Sequence, residues 1–145
     1  MKLLAILPIF LISLHLAQEV PVLEVTISQV RSDKGCMLLS VYSDPDQYPY
    51  KPFRTCPVSK KSLKDGQLTT VIYGLTPGTY VMGLLDDEND SGNMEYTRIG
   101  IPKEGFGFST NPKILLSKPD YNKLTFKLEP GYNRIGINVQ YKLKQ

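Results

Sequence analysis

Apolar and polar residues alternate in several short runs along this chain. From Val22 to Val30, Leu23, Val25 and Ile27 fall on one face and Glu24, Thr26 and Ser28 on the other, which is the period of a half-buried strand. A polar turn ends at Gly35, and the apolar, β-prone run Cys36–Tyr42 follows. The pattern predicts that these two strands pair antiparallel. Gln67–Tyr73 is a further strand, with Thr69, Val71 and Tyr73 on one face, and Thr79–Leu85 is the next. Lys113–Leu116 reads as a short strand. Tyr121–Leu128 alternates with Leu124, Phe126 and Leu128 on one side. Arg134–Leu143 closes the chain, with Ile135, Ile137, Val139 and Tyr141 directed inward.

Between these runs lie segments of other character. Residues 47–57 hold Tyr48, Pro49, Tyr50, Pro52 and Phe53, and repeated prolines argue against a central strand there. Packing over a sheet edge is one reading of this run; a ligand for a groove-type domain, or an aromatic surface for carbohydrate or peptide, is another. Val58–Gly66 carries Lys60, Lys61 and Lys64 without a clear period, as a solvated loop or short helix would. The expected fold is therefore all-β: a single β-sandwich of about seven strands with one long Gly-rich loop.

That loop belongs to the most distinctive stretch of the chain, Leu75–Asn111. Pro77-Gly78 launches an apolar strand that ends at Asp86-Asp87, and a polar segment follows with Asp87, Asn89 and Ser91 at every second position. Gly100, Pro102, Gly105 and Gly107 then punctuate a segment anchored by Phe106 and Phe108; these glycines are expected to be structural. The order Leu75, Pro77-Gly78, Tyr80, an apolar strand, Asp87-Glu88-Asn89, Gly92 and Glu95, and then Gly100-Ile101-Pro102-Lys103-Glu104-Gly105-Phe106-Gly107-Phe108-Ser109, resembles domain-of-unknown-function family 2141, a family of exported bacterial proteins. The resemblance covers most of the mature chain. It implies a transthyretin (prealbumin)-like or carboxypeptidase-regulatory-like sandwich and carries no known activity. Asp86 stands where the family often has His, and Ser91 where it has Asn, so nothing resting on that His transfers.

Composition narrows the chemistry. Met1-Lys2, the apolar run Leu3–Leu16 and Ala17 read as a secretory signal peptide, a run short for a bilayer span. The expectation is export to the periplasm or beyond, with residues 18–145 as one domain and no membrane span after cleavage. The sole histidine, His15, lies in that leader. A mature chain without histidine has no Ser-His-Asp or Cys-His pair and no His-ligated zinc. Its net charge of +3 − 1 = +2 is no basic patch for nucleic acid. Cys36 and Cys56 suit a disulfide in an oxidising compartment, closing 56 − 36 + 1 = 21 residues; two separate buried thiols are the alternative.

Two sets of oxygen-bearing residues are candidates for chemistry. Asp87, Asn89 and Ser91, with Gly92, mimic positions one, three, five and six of a helix–loop–helix calcium loop; Glu95 falls at position nine and the Asn93 carbonyl is a further ligand. The bidentate glutamate at position twelve is replaced by Arg98, so calcium, the one expected cofactor, would bind weakly. The same residues suit a loop tip closed by Asx turns. Glu88, Glu95 and Glu104 could serve a carboxylate-based hydrolase if they converge in a cleft. The leading expectation is a non-enzymatic binding or surface-accessory module.

Overall fold

The computed structural model describes residues 19–113 and 119–141. The leader 1–17, the strand expected at Lys113–Leu116 beyond its first residue, and Leu143 lie outside the described residues. The chain forms two packed sheets. In the smaller, β1 (Val22–Ser28) lies between β4 (Leu68–Ile72), antiparallel to it, and β8 (Tyr132–Asn138), parallel to it. In the larger, β2 (Cys36–Tyr42) lies between β3 (Arg54–Ser59) and β5 (Gly78–Asp87). The other edge of β5 is shared: β6 (Gly105–Phe108) pairs with Gly83–Asp86, and β7 (Thr125–Leu128) with Gly78–Val81. At the gap between them Ser109 takes over: its N–H donates to the Met82 carbonyl at 2.9 Å, and its Oγ accepts the Met82 N–H at 3.2 Å. The buried backbone of Met82 is thereby satisfied.

The all-β sandwich stands, and the inward faces follow the alternation. Leu23, Val25, Ile27, Leu68, Ile72 and Ile137 of one sheet meet Met37, Leu39, Val41, Tyr80, Met82 and Leu84 of the other in one buried core. On the last strand Ile137 and Val139 are buried, with Ile135 and Tyr141 packed beside them. On β4 the face of Thr69, Val71 and Tyr73 is the outer one; Leu68 and Ile72 fill the interior.

Four expectations are corrected. β1 and β2 do not pair; they lie in different sheets. Their connection is too long for a tight hairpin, and it crosses between layers, tied by the Val30 N–H to the Gly66 carbonyl and closed by Gly35 at φ 63. A Cβ on Gly35 would lie 1.9 Å from the Asp87 carbonyl oxygen, so the turn nests against β5 only as glycine. The proline-rich run, by contrast, holds no central strand, as expected: it ends in β3, an edge strand, which tolerates Pro57. Lys60, assigned to a solvated cluster, is buried on a 3-10 turn, Lys60–Ser62. Tyr121–Leu124 is a single helical turn rather than strand, so Leu124 enters a second, outer cluster while Leu128 joins the main core. The disulfide does not form: Cys56 stands opposite Leu39, three residues along from the Cys36 position. That is about 10 Å along a strand, beyond bridging distance, and Cys56 packs on the core while Cys36 shares the outer face of Leu38 and Ser40.

The long Gly-rich segment hides a strand whose residues alternate between two needs. Phe106 and Phe108 turn outward. Gly105 and Gly107 face β8 so closely that a Cβ on Gly107 would lie 2.6 Å from Ile137 Cγ2 and 2.9 Å from the Asn138 carbonyl oxygen. Phe106 and Gln140 exchange both backbone hydrogen bonds, at 2.9 and 2.7 Å, joining the two sheets along this edge. The structural reading of these glycines holds. Gly107→Ala should therefore cost about 1–3 kcal/mol through overpacking. Urea unfolding checks this as a lowered midpoint with unchanged slope.

Candidate functional site

Around Asp87 the loop closes on itself. Asp86 points between the sheets, and Asp87, next along the strand, points to the opposite side. The Asp87 carboxylate is 1% exposed and accepts the N–H groups of Ser91 at 2.9 Å and Gly92 at 2.8 Å. Asn89 accepts the Ser91 N–H at 3.2 Å and donates from Nδ2 to Glu95 at 3.3 Å. The Ser91 hydroxyl donates to the Asn93 carbonyl at 3.0 Å, and Glu95 faces Lys103 at 3.6 Å. The structure thus gathers Asp87, Asn89, Ser91, Asn93 and Glu95 into one loop, and their oxygens are engaged with one another in the manner of Asx-type turns. Cys36 joins from β2: its sulfur and carboxylate oxygens of Asp87 and Asp90 lie within 4.8 Å of one another. Burial and the neighbouring carboxylates push the Cys36 thiol up, which disfavours the thiolate a metal would need.

The three glutamates take different roles. Glu88 receives a bidentate contact from Arg31, with Nε to Oε1 at 3.0 Å, and the Ser32 hydroxyl at 2.6 Å. Arg31 in turn lies 4.2 Å over the Tyr141 ring. Glu95 is exposed at the loop surface. Glu104 is buried at 5% exposure; one oxygen accepts the Glu95 N–H at 3.3 Å and the other has no hydrogen-bond partner. Burial, then the Asp87 and Glu95 carboxylates, raise its pKa.

A concave surface lies elsewhere, on the outer face of the larger sheet. Its floor is Leu38 and Ser40 from β2, Gly83 and Leu85 from β5, and Phe106 and Phe108 from β6; its volume is about 530 Å³. One wall is the proline–tyrosine segment, with Tyr48, Pro49 and Pro52. The other is the 93–102 segment, which is a small hairpin rather than a free loop: Thr97 N–H donates to the Ile101 carbonyl at 2.8 Å and Lys103 N–H to the Glu95 carbonyl at 2.9 Å. Tyr42, Val81 and Leu124, with Tyr48, Phe108 and Tyr121 against them, close one end. Tyr42 and Tyr48 meet edge-on at 5.2 Å, and their hydroxyls donate to the carbonyls of Pro49 at 3.0 Å and Pro119 at 3.3 Å. Burial raises both phenol pKa values.

Among the described residues, no charged side chain lines this groove. Glu88, Glu95 and Glu104 are all outside it. Gly83 opens the floor: a Cβ there would lie 3.8 Å from both the Tyr42 and the Phe108 ring, an ordinary contact, so the strand leaves a slot between two aromatic rings. The sequence carried a signal for this site in the glycine inside an apolar run and in the Gly-Phe alternation of 105–108.

The Arg31–Glu88 pair gives a pH dependence. Arg31, Ser32 and their hydrogen bonds hold the Glu88 carboxyl down at about 2 from 4.5. A depressed carboxylate contributes stability above its unfolded pKa and loses it as pH falls through the folded one. Between pH 4.5 and about 2 the protein should therefore lose stability on the order of 2 kcal/mol from this group. Glu88→Gln should flatten that limb in pH-resolved urea unfolding.

No curated protein and no solved structure matches the chain; its strand pairing shows a β-sandwich and nothing finer. The family profile described as an uncharacterized protein conserved in bacteria matches residues 25–135, from the middle of β1 to the middle of β8. Spanning as it does both sheets, the 87–95 loop and both walls of the groove, that match makes this chain a member of the bacterial family DUF2141.

Proposed function

We propose that this chain is a non-enzymatic binding module whose outer groove takes an uncharged, largely apolar ligand of small-molecule size. The observation that carries this reading is the groove itself: about 530 Å³ of aromatic, aliphatic, Pro and Gly surface with Ser40, Thr55 and Asn93 as the few polar side chains other than tyrosine among the described residues that line it. Pockets of that size, mostly apolar with a few polar groups to orient the ligand, are the usual form of small-molecule sites. Taken with the leader-like first seventeen residues, the proposal is of a module acting in the periplasm or outside the cell. A carboxylate hydrolase has less support, since Glu88 is engaged by Arg31 and Ser32 and no glutamate faces the groove.

Fluorescence titration with N-phenyl-1-naphthylamine, an uncharged apolar probe, tests the reading. Gly83→Leu fills the slot between Tyr42 and Phe108 and should weaken probe binding at least about tenfold, while Gly83→Ala should retain it. Equal binding by the Leu variant, with an unchanged melting temperature, would overturn the assignment.

Glu104 favours a second, compatible reading, a weak calcium site at the base of the 87–95 loop. One of its oxygens is buried without a hydrogen-bond partner, and burial, then the Asp87 and Glu95 carboxylates, raise the pKa of the group; a hard cation would offset both. Millimolar calcium should then raise the melting temperature by about 3 °C, reversed by chelator. Glu104→Gln should abolish the response, and a wild-type melting temperature indifferent to calcium rules the site out.

A further inference from the structure

The two walls of the groove end in tips of matching chemistry. On one, Tyr50 and Phe53 are 90% and 63% exposed, with Lys51 between them; on the other, Tyr96, Ile99 and Ile101 are 53%, 81% and 39% exposed, with Arg98 among them. These two short segments hold five of the nine large exposed apolar side chains among the described residues. Exposed apolar side chains concentrated along the two walls of one groove mark an interaction surface. Neither 50–53 nor 96–101 contains an acidic residue. Lys51 and Arg98 are exposed, and neither is in an ion pair among the described residues.

Aromatic and branched aliphatic side chains beside cations, without acids, match the boundary of an anionic bilayer. There rings and aliphatics enter the headgroup layer and each Lys or Arg gains from the surface potential. A protein partner would need an acidic and apolar face of its own; a bilayer supplies both. We propose that the two tips dock this protein on the surface of an anionic membrane, with the mouth of the groove facing lipid, so that the neutral ligand of the groove is a lipid-phase molecule. The inference rests on the groove being a ligand site. The groove's uncharged interior and the cationic rim divide the work: the rim meets headgroups, the floor meets an apolar body.

Co-sedimentation of the purified protein with phosphatidylcholine vesicles, with and without phosphatidylglycerol, is the test. Binding should need phosphatidylglycerol, fall at least about tenfold on its omission and weaken with salt. The double variant Phe53→Asp/Ile99→Asp should partition at least about tenfold less while keeping the wild-type melting temperature, because both side chains are already solvent-exposed. Failure of the wild type to sediment with phosphatidylglycerol vesicles, or equal sedimentation by the double variant, overturns the proposal. If naphthylamine binding to the groove persists in that case, only the membrane inference falls; if the naphthylamine assay itself fails, the groove reading falls and takes this inference with it.

Discussion

The buried ion pair between Lys60 and Asp86 constrains this molecule more than any other contact. Both side chains are essentially inaccessible, at 1% and 0% exposure. An ammonium or a carboxylate at such a site is tolerated only when paired and hydrogen-bonded. Each group has one further partner: Lys60 Nζ also donates to the Lys34 carbonyl, and the Tyr141 hydroxyl donates to the second oxygen of Asp86. Tyr141 accepts the Arg31 N–H and lies under the Arg31 guanidinium, which holds Glu88. One network therefore ties the β1–β2 connection, the 3-10 turn after β3, the end of β5 and the segment after β8. Losing either partner would strand a charge in the core, so these four segments must arrive together.

That constraint places the loop and the groove. Asp86 is held inward by Lys60 and Tyr141, so Asp87 is committed to the other face by the two-residue period of the strand. There it collects the N–H groups of Ser91 and Gly92 and fixes the start of the loop. The loop's far side becomes the 95–103 hairpin, and this forms one wall of the groove. Further back on the same outward face come Leu85, Gly83 and Val81. Gly83 leaves the floor open, and Val81 closes the end with Tyr42 and Leu124. The site is thus built on the outer faces of β2, β5 and β6 and what folds over them.

Glycine decides how near the layers come. With side chains at 105 and 107, β6 could not lie against Ile137, Val139 and Tyr141, and the edge shared by Phe106 and Gln140 would open. The alternation Gly-Phe-Gly-Phe satisfies two neighbours at once, a close sheet on one side and an aromatic groove on the other.

Alternation alone determined the strands whose one face is buried and the other wet: Leu23, Val25 and Ile27, or Ile135, Ile137 and Val139, show their interior side in any window of the chain. Family membership was equally legible, in the spacing from Leu75 through Ser109. What only the tertiary structure decided was whatever depends on a distant partner. The sheet in which β1 lies is set by β4 and β8, not by the strand next in sequence. β3 and β6 escape the alternation because an edge strand accepts Pro57, and because glycines at a close contact carry no hydrophobic signal. Lys60 looks solvated in a run of lysines until Asp86 is brought to it. The loop oxygens of 87–95 are legible as a cluster, but their hydrogen bonds to one another are not. The groove was legible only as scattered hints, for the same reason: Gly83, the tyrosines and prolines of 48–52, and Phe106 and Phe108 come from three separate segments, and a concavity is a shape that exists only once those segments are packed.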